Sequence, residues 1–499
     1  MFNGKRLSGW MALAVFATVG GAMVATDPAF AKTDVDKLTI GGEARVRWEY
    51  RTNADFGGKS VSGQSNESAA SHRIRLGVGY DLTPDVAFFA QIQDARTWGG
   101  EGATPGTTSG IAAVSSSNNN GTGVDLHQGY ILVKNVLAPG LSLKAGRQEL
   151  IYGDHRLFGN FGWSQIGNSF DAVKLMYSTQ MADVDLFWAR IADSQATAVT
   201  NGVIFPASGT KGTLNQNIYG VYVTLKPIES WTIEPYYFLL ADARTVVPGA
   251  LDGGALGAGY TAQAPDQTRS TLGGRINGKA GGLDATLEVA HQFGGAATGA
   301  VSQKHDVHIN AHAEAVKVGY TMAAVPMKPR IGIEVDYASG DSCKTACGHS
   351  NTFDNLYPTN HFHYGYMDLM AWKNMVNYMV MFDVKPTDVS KLQVNFIIHR
   401  LANTKDNWYR AGQVVYGGSG AVGTGTAGAG NTAASIGREL DIHYWHTFKE
   451  KFKFEIGYGH FWAGDYISNA ARYGNTVLGV TPASNSGQNW GYVMGSVLF

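Results

Sequence analysis

Between residues 38 and 499 the chain repeats one unit: about ten residues of alternating apolar and polar side chains, a short turn, a second such run, then a long loop rich in Gly, Ser and Asn. Side chains alternate across a strand, so each run presents two unlike faces. In the first run Leu38, Ile40, Ala44, Val46, Trp48 and Tyr50 share one face, and Glu43, Arg45, Arg47, Glu49 and Arg51 share the other. The division recurs with Ile74, Leu76, Val78 and Tyr80 against Arg73, Arg75 and Asp81. Later, Ile331, Ile333, Val335 and Tyr337 oppose Arg330, Glu334 and Asp336, and Phe452, Phe454, Ile456 and Tyr458 oppose Lys451, Lys453 and Glu455. A charged face cannot meet hydrocarbon, where a central Arg or Lys costs about 2–4 kcal/mol in a barrel. It must line a lumen, with the apolar face against lipid. The pattern predicts an all-β chain closed into a transmembrane antiparallel β-barrel, which is most simply a channel. A soluble β-protein with its apolar face on a core is the competing reading, and rows of charge with loops long on one side only argue against it.

Strands are expected near 38–51, 71–82, 85–98, 124–135, 141–151, 169–179, 181–191, 216–227, 231–242, 268–278, 282–294, 307–320, 328–340, 373–386, 388–402, 436–449, 451–465 and 488–499. That is about eighteen, an even number as bacterial single-chain barrels require. Short turns at Leu82-Thr83-Pro84, Lys226 to Ser230, Lys279-Ala280-Gly281, Lys385-Pro386-Thr387 and Lys449-Glu450 alternate with long segments such as 52–70, 99–123, 192–215, 243–267, 339–372, 403–435 and 466–487. Short turns belong to the periplasmic side and long loops to the exterior.

Residues 1–31 read as a secretory signal peptide: Lys5 and Arg6 precede an apolar run from Leu7 to Val24, and Ala29-Phe30-Ala31 is a small-x-small cleavage site before Lys32. A single anchoring helix is the other reading that about 18 apolar residues allow. A chain of 499 residues would by length suggest about three domains, yet no Pro-rich or charged linker divides it, so residues 32–499 are expected to form one barrel. The mean hydropathy of -0.12 resembles that of a soluble protein, as it must when lumen-facing and lipid-facing residues average out. A net charge of -1 gives no reason to propose nucleic acid as a partner.

Gly146-Arg147-Gln148-Glu149-Leu150, Tyr152-Gly153-Asp154-His155-Arg156-Leu157, Trp163 and Phe170-Asp171-Ala172-Val173-Lys174-Leu175 together resemble the alginate-export family of outer-membrane proteins. Arg45-Val46-Arg47, Arg73-Ile74-Arg75, the stretch from Phe353 to Phe362, and Gly437-Arg438-Glu439-Leu440-Asp441 extend the resemblance over most of the chain. A terminal Phe499 on an alternating strand is similar to the assembly signal of barrels in the Gram-negative outer membrane. The resemblance implies eighteen strands, a monomer, and an arginine-lined, anion-selective conduit for a polyuronate such as alginate. A guanidinium suits that task because its planar fork pairs bidentately with a carboxylate.

Candidate pore-lining cations are Arg45, Arg47, Arg73, Arg75, Arg96, Lys144, Arg147, Arg156, Lys174 and Arg275. Strand parity places the first four inside. Arg147 falls in step with Leu141, Leu143 and Ala145, so a bulge at Gly146 is invoked to turn it inward. Without one it would meet lipid or snorkel to the interface. Carboxylates share the inner face, notably Glu43, Glu334, Asp336, Glu439 and Asp441, so the lumen is expected to mix both signs. The family's known exporter has a long periplasmic loop near the pore, whereas the turn at Lys449-Glu450 is short; a gate is therefore expected from residues 99–123 or 339–372 folding inward.

Cys343 and Cys347 share one external loop, where an oxidising compartment favours a local disulfide. The following Gly348-His349 does not make the Cys-x-x-Cys-His of haem attachment. No recognised metal spacing joins the histidines, no nucleophile motif such as Gly-x-Ser-x-Gly is present, and no nucleotide-binding motif supplies energy. The reading is a passive channel rather than an enzyme, with no cofactor or metal, for an anionic saccharide or other small solute. A general porin, and a scaffold around a periplasmic partner, are the alternatives.

Overall fold

The structure, a computed structural model, describes residues 35–53, 66–98, 124–192, 216–242, 267–296, 307–342, 348–411, 415–418, 433–472 and 487–499. The expected signal peptide, the 99–123 loop and the Cys343–Cys347 pair lie outside them. Eighteen strands run in chain order: β1 Leu38–Thr52, β2 Glu67–Asp81, β3 Val86–Thr97, β4 Asp125–Val133, β5 Leu141–Gln148, β6 Phe170–Ser178, β7 Ala182–Ala192, β8 Gln216–Ile228 and β9 Trp231–Asp242. They continue as β10 Gln267–Ala280, β11 Leu283–Ala296, β12 Val307–Thr321, β13 Arg330–Ala338, β14 Met375–Thr387, β15 Ser390–Arg400, β16 Ser435–Phe448, β17 Phe452–Ala463 and β18 Gln488–Leu498.

Each strand pairs antiparallel with its neighbours, and β18 returns to β1 with Val493 opposite Trp48, so the sheet has no open edge. Closure lets every ladder group find a partner, which hydrocarbon demands. The outer wall carries Val46, Trp48, Ile74, Leu76, Ile331 and Ile333, all exposed, while Arg45, Arg47, Arg73, Arg75, Glu334 and Asp336 are buried inside. Alternation therefore sorts the residues as the sequence predicts.

The turns on the periplasmic side are tight. Lys449 and Glu450 both take positive φ, at 47° and 64°, as the twist-matching hairpin turn requires. Gly281 and Gly282 make the β10–β11 turn in the same way, at 56° and 90°. On the opposite side two connections depart from the pattern and turn into the barrel. Strand β5 ends at Gln148 rather than near 151, because Glu149 turns inward and its Oε1 lies 2.8 Å from His127 Nε2. Residues 149–169 and 348–374 then pack together at the centre of the lumen, joined by Gly159 N–H to the Tyr357 carbonyl (3.0 Å) and Tyr357 N–H to the Leu157 carbonyl (2.9 Å). The main apolar core lies here, inside the barrel, with Phe158, Phe187 and Phe238 packed beside Phe353, Tyr364 and Trp372.

Candidate functional site in the barrel lumen

Strands β1 and β2 aim four arginines at one stretch of the first inward connection. Arg45 donates from Nη1 to the Gly162 carbonyl (2.7 Å) and from Nη2 to that of Ser164 (2.8 Å), with Nε on Gln165 Oε1 (2.8 Å). Arg47 donates to the Trp163 carbonyl (2.6 Å) and lies over the Trp163 ring, 3.9 Å from its centroid. Arg73 donates to the Ser164 carbonyl (2.9 Å) and to Glu43 Oε2 (2.7 Å). Arg75 donates to the Ile166 carbonyl (3.0 Å) and lies 3.6 Å from Glu149. Hydrogen bonds with a charged partner contribute about 1.5–3 kcal/mol each. These guanidinium groups are committed to main-chain oxygens, and so act as anchors of residues 162–166.

Strands β9 to β16 reverse the polarity. Arg156, on the first connection, is buried among Glu334, Asp336 (3.0 Å) and Glu288 (3.9 Å), and donates to the Tyr364 hydroxyl (2.7 Å). Lys317 also reaches Glu334, at 3.1 Å. Arg275 bridges Glu234 of β9 (2.6 Å) to Asp154 of the connection (2.5 Å). On β16, Glu439 Oε1 accepts the Met367 N–H (2.9 Å) and Asp441 Oδ2 accepts the Tyr366 N–H (3.2 Å). Cationic wall thus meets carbonyl oxygens, and acidic wall meets N–H groups and a guanidinium. Both inward segments are held by charge-assisted bonds to a mixed lumen.

Electrostatics within the segments follow the same contacts. Burial alone would raise the Glu149 carboxyl, but the His127 hydrogen bond and the Arg75 charge hold it below the ordinary range. Burial likewise opposes ionisation of Asp354, and the Lys373 and Arg269 charges more than offset it. The imidazole of His363, wholly enclosed and facing Arg156, is pressed down to about 4 by burial first and by that charge second.

Below the first connection, on the side of the short turns, the lumen keeps an open pocket of about 370 Å³. Tyr130, Tyr152 and Tyr222 line it together with Lys144 and Lys174, which stand opposite each other in the β5–β6 ladder. Its three carboxylates each have a cation: Asp183 has Lys226 (2.5 Å), Asp185 has Lys174 (2.9 Å) and Glu234 has Arg275 (2.6 Å). The Lys144 amine has no ion pair or hydrogen bond among the described residues and lies 3.8 Å from the Tyr130 ring centroid. The Lys144 amine is thus the one pocket group among the described residues without an acid of its own, beside aromatic faces on the side of the short turns.

The alginate export family model matches residues 36–480. The chain belongs to the alginate export family. No curated protein matches it in sequence. Among solved structures it is similar to OccK11 (OpdR) of Pseudomonas aeruginosa, at 10% identity and a TM-score of 0.52, covering 93% of this chain and 97% of that one. OprD of the same organism aligns at 10% identity and 0.52, over 92% and 94% of the two chains. OccAB1 of Acinetobacter baumannii aligns at 11% and 0.51, over 92% and 97%. These likenesses are in fold. With the family they make the chain an outer-membrane channel of a Gram-negative bacterium.

Seen as an alginate export family barrel, the chain places two of the expected pore-lining cations elsewhere. Arg96 shares the outer face of β3 with Phe88 and Ile92, and its Nε bonds Asp94 at 2.7 Å; the β2–β3 ladder runs through it without a shift, so parity carries it outward. Arg147 also faces outward, pairing at 3.3 Å with Asp171, which shares its face with the exposed Val173. The expected bulge is absent: Gly146 takes φ 127°, yet the ladders to β4 and β6 pass through it without a shift. A side chain there would put Cβ 2.3 Å from the Gly129 carbonyl oxygen, so the glycine serves close strand approach. Lys144, Lys174, Arg156 and Arg275 do lie inside.

Several lumen residues escaped the sequence reading of this alginate export family member. Arg269 donates to Gln292 Oε1 (2.8 Å), and parity with Arg275 would have placed it. Arg51, placed on the inner face of β1 by parity but not counted among the candidate cations, donates to the Met367 carbonyl (2.9 Å). His361 stacks on Trp163 at 4.1 Å, a contact between two loops that no local pattern announces. Among the described residues no three His, Cys, Asp or Glu side chains converge as metal ligands.

Proposed function

We propose that this outer-membrane channel passes an anionic saccharide, a polyuronate such as alginate or a shorter acidic sugar, driven by its own gradient. The observation that carries the reading is the Lys144 amine, without an acid of its own in the periplasm-facing pocket and flanked by tyrosine rings. A uronate offers a carboxylate for the ammonium and an apolar sugar face for the aromatic surface, and both contacts are weak enough to release the solute upward. Family membership supports the same substrate class. The scaffold alternative asks for a wide unobstructed lumen, whereas residues 149–169 and 348–374 occupy the centre of this one.

The test is the reversal potential of the refolded barrel in a planar bilayer under a KCl gradient, followed by titration with oligouronates. Anion selectivity with block is expected. In Lys144→Gln, block should weaken about tenfold, the scale of one charge-assisted contact worth about 1.4 kcal/mol. Absence of block in the wild type would leave a general small-solute porin.

A further inference from the structure

Two arginines on the outer wall stand without the acid that accompanies Arg96 and Arg147. Arg438 of β16 and Arg400 of β15 are both exposed, and neither has an ion pair or hydrogen bond among the described residues. Their orientation follows from parity. Arg400 is in step with the exposed Phe396 and with Ile398, while Arg438 is in step with the exposed Ile442. Arg438 stands opposite Ile398 in the ladder, and Arg400 is the next outward residue above Ile398. The two are therefore diagonal neighbours on the lipid-facing surface, roughly 7–8 Å apart at the backbone, within reach of one multi-oxygen anion.

Their height is set by the strands. Arg438 lies ten residues above the periplasmic end of β16 at Phe448, and Arg400 ten residues above the start of β15 at Ser390. At about 3.3 Å per residue and a tilt of about 40° this is about 25 Å, the top of the apolar band. Trp462, exposed on the outer wall of β17, is opposite Arg438 in the other ladder, as an interfacial aromatic should be. Beside them Phe396, Ser435, Gly437, Arg438, Trp462 and Asp465 border a groove of about 420 Å³. Asp465, exposed at the start of the helix Asp465–Arg472, makes no ion pair with either arginine.

An unpaired guanidinium at the edge of hydrocarbon is costly unless an anion from the membrane itself meets it. We infer that Arg400, Arg438 and Trp462 form a binding site for a phosphate-bearing lipid of the outer leaflet, the phosphate held by the arginines and acyl chain against Phe396 and Trp462. Arg96 and Arg147 are neutralised within the wall by Asp94 and Asp171, and Arg190 lies over the Trp188 ring; here the lipid supplies the counter-charge. The site is separate from the lumen and does not depend on which solute passes.

The experiment is native mass spectrometry of the full chain in maltoside micelles doped with bis-phosphorylated lipid A. Retention of the lipid is expected, weakened about twenty-five-fold in R400Q/R438Q, at about fivefold per arginine, and largely kept in R400K/R438K. Dephosphorylated lipid A should be retained no better by the wild type than by R400Q/R438Q. Equal retention of lipid A by wild type and R400Q/R438Q would overturn the site, as would equal retention of the dephosphorylated lipid by the wild type. Displacement of lipid A by an equal concentration of inorganic phosphate would overturn the lipid as occupant.

Discussion

Replacing Arg156 by methionine is expected to release the inward segments, raise single-channel conductance at least twofold, and lower thermal stability. The guanidinium lies among Glu334, Asp336 and Glu288, all buried, and its donors include a bond to Tyr364. Removing one partner of a buried ion cluster costs about 3–5 kcal/mol, because the remaining charges stay desolvated and unopposed. Lys317 still neutralises part of Glu334, so the loss falls on Asp336 and Glu288. A rescue separates charge from shape: adding D336N and E288Q to R156M removes the stranded charge and should recover most of the stability. Failure of that rescue would mean that Arg156 acts by filling space. Planar-bilayer recordings and thermal unfolding of the three proteins decide between these.

This dependence follows from how the lumen is built. A barrel of this width cannot fill its interior with strand side chains alone. Here two connections enter it, and their unpaired main-chain groups need partners away from water. The arginine rows of β1 and β2 supply donors for the carbonyls of residues 162–166, and Glu439 and Asp441 supply acceptors for the N–H groups of Tyr366 and Met367. Charges that alternation places inside thus do the work of a missing β-ladder. The Lys144 amine, by contrast, is not used to hold either segment.

The strand plan was legible because a period of two is printed directly in residue order: Val46 and Trp48 had to oppose Arg45 and Arg47 wherever the strand closed. Length allowed an inward fold for residues 339–372 and equally for 99–123, which lie outside the described residues, and it did not announce the inward connection at 149–169. What the arginines touch was not, because their acceptors are backbone oxygens of Gly162, Trp163 and Ser164, and a carbonyl has no letter in a sequence. The same blindness explains Arg147. Parity already placed it outside, and the inward bulge was invoked only to keep it in an arginine row; its real partner, Asp171, lies on the adjacent strand in register. Arg96 was misplaced by chemistry overriding a parity that Phe88 and Ile92 declare. The turn of Glu149 into the lumen depends on His127, two strands of contact that no local motif encodes.

Acidification from pH 7 to 4.5 is expected to loosen the second inward segment and increase conductance. His363 is enclosed, with Nε2 donating to the Asp154 carbonyl (2.6 Å) and Nδ1 3.7 Å from Glu334. Burial and the Arg156 charge press its pKa down to about 4, while in a released segment it returns to about 6.5. Between those values the released form holds a proton that the docked form lacks, so docking weakens as pH falls through 6.5 and levels off below 4. Above 6.5 both forms are neutral and nothing changes. A difference of about 2.5 units corresponds to about 3 kcal/mol at the limit. Asp354 and Asp154, both held below the ordinary carboxylate range, act in the same sense but in a lower window, since their contributions persist until the pH falls through that range. The two windows can be told apart. In His363→Gln, which keeps an N–H for the Asp154 carbonyl, the conductance step between pH 6.5 and 4 should vanish while any rise below pH 4 remains. An unchanged step in that variant would overturn the assignment to His363.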